Sequence, residues 1–129
     1  MIGRKGAISM YVRSGNGGGG SQDQTATGTF TLPNTNTTLK VTLGFKPKYL
    51  AILGWSGGNS SDCWIYNEEF GTTSYPAFFR SSGTAGASTE NLPNTTNNRL
   101  NSIDNDGFTV KGTTTSTYYN LTFRYFAIG

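Results

Sequence analysis

The sequence predicts an all-β fold, an antiparallel β-sandwich of the jelly-roll or lectin-like type. No segment sustains the 3.6-residue hydrophobic period of an amphipathic helix. Short segments rich in threonine, β-branched and aromatic residues recur about every 10 to 15 residues. Polar connections rich in glycine, asparagine and serine separate them, and these residue types favour turns. A chain of 129 residues with this pattern has the size of one domain.

Composition indicates a thin hydrophobic core. Apolar residues make up 34% of the chain, below the usual ~45–50%, but the aromatic content of 13% is unlike that of disordered chains. Contacts between copies of the chain would stabilise such a core, so we expect a homo-oligomer. The net charge is +3: residues 1–48 hold six basic and one acidic group (+5), and residues 49–129 hold four basic and six acidic groups (−2). Because no run of five like charges occurs, we expect no nucleic-acid partner.

The N-terminal segment differs from the remainder. Residues 1–14 mix basic and apolar side chains, residues 15–23 have the composition of a flexible Gly/Ser-rich linker, and residues 24–129 hold the predicted sandwich. This order suggests an extended arm that anchors the domain to a larger assembly, and a frayed terminus is the alternative. The predicted anchoring residues are Arg4, Lys5, Ile8, Met10, Tyr11 and Arg13.

Strand signals in the domain fall at residues 25–32, 39–43, 49–55, 62–67, 77–80, 101–104, 108–111 and 118–128. The apolar run at 49–55 is nearly continuous, which predicts a strand buried on both faces. Asp106-Gly107 lies between two strand signals and predicts a hairpin. The predicted core comprises Val41, Leu43, Phe45, Leu50, Ile52, Phe108, Val110, Leu121 and Phe123.

Catalytic and metal chemistry find little support in the sequence. Histidine, the commonest general base, is absent, and the single Cys63 allows no internal disulfide. One cysteine without histidine predicts no zinc site, and we expect no other metal or cofactor and no catalytic residue. Glu68 and Glu69 are adjacent. In an extended segment they would point to opposite faces, and we expect them to lie in a solvated loop and not to form a catalytic pair. No apolar run approaches the 18 residues of a membrane span, so we expect no membrane insertion.

One polar segment has the residues that carbohydrate recognition uses. Residues 55–64 combine tryptophans with amides and hydroxyls, which suit the apolar ring face and the hydroxyls of a sugar. The alternative is a polar connection whose tryptophans pack inside, where tryptophan is usually found. The candidate glycan-binding residues are Trp55, Asn59, Asp62, Trp64 and Tyr66.

Three motifs resemble the small β-domains of tailed-bacteriophage virion proteins, which occur in tail fibres, minor tail proteins and head fibres. They are Gly44-Phe45-Lys46-Pro47-Lys48-Tyr49-Leu50, Asp106-Gly107-Phe108-Thr109-Val110 and the terminal Tyr125-Phe126-Ala127-Ile128-Gly129. The resemblance covers residues 25–129. It implies a compact β-sandwich, often trimeric and sometimes lectin-like, that is mounted on the virion, so a homotrimer is favoured. The N-terminus has a charged start but no apolar region of a secretory signal, so we expect synthesis in the host cytoplasm.

On this resemblance we expect a non-enzymatic structural virion protein for host attachment. Its arm would bind capsid or tail proteins, and its sandwich would project and bind a host-surface glycan or polysaccharide. Only about twenty residues precede the domain, which favours a short appendage over a long fibre. The alternative is a capsid or tail decoration (cement) protein that binds no receptor.

Overall fold

A computed structural model describes residues 7–12, 23–55, 61–72, 74–82, 86–114 and 122–129, with the backbone alone for residues 7–12, 55 and 61. These residues form ten β-strands and no helix, which confirms the all-β prediction. Within them, nothing forms a helix long and apolar enough to span a membrane. The strands are β1 (Ala7–Val12), β2 (Asp23–Thr31), β3 (Thr38–Thr42), β4 (Tyr49–Trp55), β5 (Ser61–Asn67), β6 (Ala77–Ser82), β7 (Gly86–Asn91), β8 (Arg99–Asp104), β9 (Gly107–Lys111) and β10 (Thr122–Ile128).

The strands form two antiparallel sheets packed face to face. The larger has seven strands in the order β1-β2-β10-β4-β5-β6-β7, and the smaller has three in the order β3-β9-β8. Phe108 of the small sheet meets Phe30 and Tyr125 of the large sheet edge-on, with ring centroids 5.9 and 5.3 Å apart. Such edge-to-face contacts are favourable for aromatic rings. The predicted β-sandwich is therefore confirmed.

The core lies between the sheets and is built by alternation along each strand. In β10, Phe123, Tyr125 and Ala127 are buried, and Phe126 between them is exposed. This is the period-two pattern of a sheet with one covered face. Most of the predicted core is confirmed: Leu43, Phe45, Leu50, Ile52, Phe108, Val110 and Phe123 are buried, Val41 is partly buried against them, and Leu121 lies outside the described residues.

The prediction that β4 is buried on both faces is wrong. Leu50 and Ile52 point into the core, but Leu53 on the opposite face is 51% exposed. The small sheet covers only the inner face of the large sheet, so the outward residues of β4 remain accessible. A continuous apolar run cannot by itself distinguish a strand covered on both faces from one with an uncovered apolar face.

Two strands in the structure lie outside the predicted set. β7 pairs with β6 at the edge of the large sheet, and its Gly-Ala-Ser-Thr-Glu-Asn sequence has no apolar alternation to reveal it. At the opposite edge, β1 pairs with β2, with Val12 opposite Asp23. Ile8, Met10 and Tyr11 of the expected arm therefore lie in a strand of the domain's own sheet. Arg4, Lys5 and Arg13 lie outside the described residues, and the anchoring role stays a prediction.

The predicted hairpin is confirmed between β8 and β9. Asp104 pairs with Gly107, so Asn105 and Asp106 form the turn. The Asp106 carbonyl accepts hydrogen bonds from the backbone N–H groups of Leu43 and Gly44, at 2.7 and 3.0 Å. A Cβ on Gly107 would collide with the carbonyl oxygen of Val41. Glycine is thus required at this position because the neighbouring strand β3 approaches its Cα closely.

Candidate functional site

A groove of about 670 Å³ opens at one end of the sandwich, where β4 begins and β5 ends. Its volume falls within the ~300–1,000 Å³ of typical ligand sites. Charged, aromatic and apolar side chains from four separate segments share its surface. The lining residues are Lys46, Tyr66, Glu68, Glu69, Gly71, Thr72, Pro76, Leu92, Pro93, Ser102 and Ile103.

The turn after β5 carries the two carboxylates of the groove. The Glu68 N–H donates to the Lys48 carbonyl at 2.9 Å, and the Phe70 N–H donates to the Asn67 carbonyl at 2.9 Å. The Glu69 N–H donates to the Asn67 side-chain oxygen at 3.0 Å. Because these bonds turn the chain, Glu68 and Glu69 both line the groove. The segment is a turn and not an extended strand, and both glutamates are exposed, as expected for a solvated loop.

Gly71, Thr72 and Pro76 form a second wall. Thr72 and Tyr75 exchange backbone hydrogen bonds at 3.1 and 3.0 Å, and the Thr72 hydroxyl also accepts from the Tyr75 N–H at 3.0 Å. A Cβ on Gly71 would overlap the Tyr75 carbonyl oxygen, so only glycine fits this tight turn. The Leu92 N–H donates to the Pro76 carbonyl at 2.8 Å, which joins this wall to the Leu92–Pro93 segment, whose peptide bond is cis.

The groove contains a positively charged ammonium group, two negatively charged carboxylates and a neutral phenol. Burial, and to a lesser extent the negative charge of Glu68, raises the pKa of Tyr66. The phenol therefore stays protonated at neutral pH and can donate or accept a hydrogen bond. Lys46 supplies a cation, and the exposed Glu68 and Glu69 supply acceptors. Such a set suits a polyhydroxylated ligand, whose hydroxyls both donate and accept.

Of the three predicted glycan-binding residues whose side chains the structure describes, only Tyr66 lies in this groove. Asp62 and Trp64 are on the same strand, but they are 2% and 0% exposed in the core. The expectation of an exposed surface is thus wrong for these two, and the alternative that tryptophan packs inside holds for Trp64, whose ring lies 5.1 Å from that of Phe123. The Trp55 side chain and Asn59 lie outside the described residues.

Asp62 has a structural role in the interior. One carboxylate oxygen lies 3.1 Å from a guanidinium nitrogen of Arg80, and the other accepts a hydrogen bond from the Asn98 amide at 2.8 Å. All three residues are buried. Within the described part of the chain, no group of three or more acidic, histidine or cysteine side chains could hold a metal ion.

Sequence reasoning missed most of the groove because its walls come from segments far apart in the chain. Lys46 precedes β4, Leu92 and Pro93 follow β7, and Ser102 lies in β8. The usable signals were local: the adjacent glutamates, and the turn residues between Asn67 and Pro76. Neither signal reveals that β8 passes beside them.

Together the fold and the groove define a two-sheet β-sandwich protein with a polar groove at one end of its sheets. Comparisons of the chain with protein-family models, with curated proteins and with solved structures found no match. The resemblance to phage virion domains therefore rests on the three sequence motifs.

Proposed function

We propose that the protein is a non-enzymatic structural component of a tailed-phage virion and that its groove binds carbohydrate on the host surface. The observation that carries the binding role is the convergence of Lys46, Tyr66 and Glu68 on one groove of about 670 Å³. The virion assignment is supported by the three motifs and is compatible with the all-β sandwich. In this proposal the N-terminal arm contacts a capsid or tail protein, and the sandwich projects.

The groove offers complementary contacts for a sugar. Carboxylates accept hydrogen bonds from sugar hydroxyls, and the Lys46 ammonium donates to ring or hydroxyl oxygens; such charge-assisted bonds are stronger than neutral ones. Leu92, Pro93 and Ile103 supply apolar contacts for the C–H face of the ring. Tyr66 adds a neutral phenol to the same site.

Titration calorimetry of the full chain with purified host-surface polysaccharide tests the binding role. Glu68→Gln and Lys46→Gln should each weaken binding about 10-fold or more, because each removes a charge-assisted hydrogen bond. Asp23→Asn is the matched control, since Asp23 is an exposed carboxylate at the start of β2 and is not part of the groove. Unchanged affinity in both groove variants would contradict the site.

The non-enzymatic part of the proposal has its own test. The protein is incubated with the same polysaccharide, and new reducing ends are counted. We expect none. Release of reducing ends by the wild type, lost in Glu68→Gln, would show that the two groove carboxylates catalyse hydrolysis.

A second candidate function is capsid or tail decoration without receptor binding. It is favoured by the exposed hydrophobic side chains Leu53, Phe79 and Phe126, which lie on the outer face of the large sheet and not in the groove. Under this alternative, particles that lack the protein should adsorb to host cells normally but lose integrity at a lower temperature. Reduced adsorption with unchanged heat stability would favour the receptor-binding function.

A further inference from the structure

The outer face of the large sheet carries a row of side chains that is symmetric in type. The backbone registers align one residue from each of six neighbouring strands, which follow one another across the sheet in the order β2, β10, β4, β5, β6 and β7. Residues opposite each other in antiparallel strands point to the same face. In strand order the row reads Thr27, Phe126, Ala51, Ile65, Phe79 and Thr89. Across these six strands it therefore runs, from either end, threonine, phenylalanine, aliphatic residue. The seventh strand, β1, adds Ile8 opposite Thr27 beyond one end of the row.

From β10 to β7 this face is apolar and almost free of charge, and the exposed Asp23 lies at its edge in β2. Phe126 and Phe79 are 40% and 38% exposed. Two shallow depressions flank the centre of the row, one of about 280 Å³ beside Phe126 and one of about 420 Å³ beside Phe79. Among the described outward positions of β4 to β7 and β10, Arg124 is the only charged side chain. Depletion of charge together with aromatic enrichment is typical of the centre of a protein interface.

We propose that this face binds a second copy of the chain through two-fold symmetry. The two-fold axis lies in the plane between the two facing sheets, runs parallel to the strands and passes over the gap between β4 and β5. A two-fold interface uses the same patch on both subunits, so the patch must be complementary to itself. The symmetric row meets that condition. The axis places Phe126 against Phe79 of the second copy, and Ala51 against Ile65 of the second copy. The small alanine thereby receives the larger isoleucine.

The neighbouring row is compatible with the same axis. Across β10, β4, β5 and β6 it contains Arg124, Leu53, Cys63 and Ser81. The axis places Leu53 against Cys63 of the second copy and Arg124 against Ser81 of the second copy. The two Arg124 side chains are then separated by three strand spacings, about 14 Å within the sheet plane. Arg124 consequently meets a hydroxyl and not its own copy.

The dimensions of the face suit a stable dimer. Six strands at about 4.8 Å spacing and about 3.3 Å per residue along seven residues give a face of roughly 24 by 23 Å. Pleating and side chains raise the accessible area toward the ~800 Å² per partner of a standard interface. Two such sheets would pack about 10 Å apart at the usual small angle. The resemblance to phage virion domains implies a trimer, but a closed three-fold ring uses two different patches, and the symmetric row suits a two-fold pair.

Sedimentation velocity of the full chain across a dilution series tests the interface. We expect a monomer–dimer equilibrium. Phe126→Glu and Phe79→Glu should each raise the dimer dissociation constant about 30-fold or more, because each buries a charge in the centre of the contact. Tyr75→Glu is the matched control: Tyr75 is 68% exposed, lies in the groove-side loop, and should leave dimerisation unchanged. Circular dichroism checks that each variant is folded.

Cys63 provides a second measurement that needs no substitution. It is the only cysteine in the chain and lies beside Leu53 and Phe126 on this face. Its alkylation rate at constant pH should fall as the protein concentration rises through the dimer dissociation constant. A wild type that stays monomeric or forms a trimer would overturn the proposal. So would a dimer in which Cys63 reacts as fast as in the monomer, because another surface would then form the contact.

Discussion

The Asp62 carboxylate lies 3.1 Å from the guanidinium of Arg80, and both side chains are buried between the two sheets. The Asn98 amide donates to the second carboxylate oxygen at 2.8 Å, so the ion pair is tied to the loop before β8. Ionised groups are rarely buried unless they are paired. This pairing explains why an aspartate that seemed suited to a surface loop lies in the interior.

Removing the Asp62 carboxylate should destabilise the fold strongly. Asp62→Ala leaves the Arg80 guanidinium buried and uncompensated, and we expect a loss of about 3–5 kcal/mol in the free energy of unfolding. Urea unfolding followed by tryptophan fluorescence measures it. The double variant Asp62→Leu/Arg80→Met, which replaces both charges by apolar groups, should recover most of the loss. A cost below about 1 kcal/mol for the single variant would mean that the pair contributes little.

Gly54 should tolerate no side chain. A Cβ at this position would lie within the ring of Phe123, which is completely buried. We expect Gly54→Ala to cost about 1–3 kcal/mol of folding free energy, as overpacking of a core does. Thermal unfolding measures the change. Adding Phe123→Leu to the alanine variant should recover part of the loss if the clash is the cause.

The groove loop depends on Gly71 through its close contact with the Tyr75 carbonyl. Gly71→Ala should displace the loop, and we expect weaker polysaccharide binding with a smaller effect on global stability. Calorimetric titration and thermal unfolding of the same sample separate the two effects. Binding equal to that of the wild type would show that this wall of the groove does not contact the ligand.

Two tyrosines should ionise late in an alkaline titration. Burial raises the pKa of both Tyr66 and Tyr125 above the ordinary value of 10.0. Their neutral forms are favoured in the folded state, so this stability is complete below pH 10 and is lost as the pH rises through the folded-state pKa values. Ultraviolet difference absorbance should show a delayed fraction that vanishes in denaturant. Tyr66→Phe and Tyr125→Phe should each remove part of that fraction, and an unchanged fraction in either variant would refute its assignment.

Two N-terminal deletions separate anchoring from folding. Deletion of residues 1–14 removes β1 and should abolish incorporation into particles, while deletion of residues 1–6 keeps the strand that pairs with β2. If Arg4 and Lys5 anchor the protein, the shorter deletion should also reduce occupancy, with thermal stability unchanged. Occupancy is measured on purified virions. Normal occupancy of the longer deletion would exclude an anchoring arm.

The strands that sequence reasoning recovered are those whose own side chains alternate. In β10, Phe123, Tyr125 and Ala127 alternate along the sequence with Phe126, and the structure buries the first three and exposes Phe126. The turn at Asn105 and Asp106 is equally local. β7 was not recovered, because an edge strand with exposed side chains on both faces lacks apolar alternation.

The sequence alone determined the β-class, most of the core and the hairpin, because period-two alternation and turn chemistry are properties of neighbouring residues. Only the tertiary structure decided which strands pair and which face is covered. Trp64 and Asp62 are buried in the core, and Glu68 and Glu69 both line the groove. Phe126 and Phe79 lie in one row across the outer face of the large sheet. These relationships depend on sheet register and layer packing between distant segments, which local alternation does not specify.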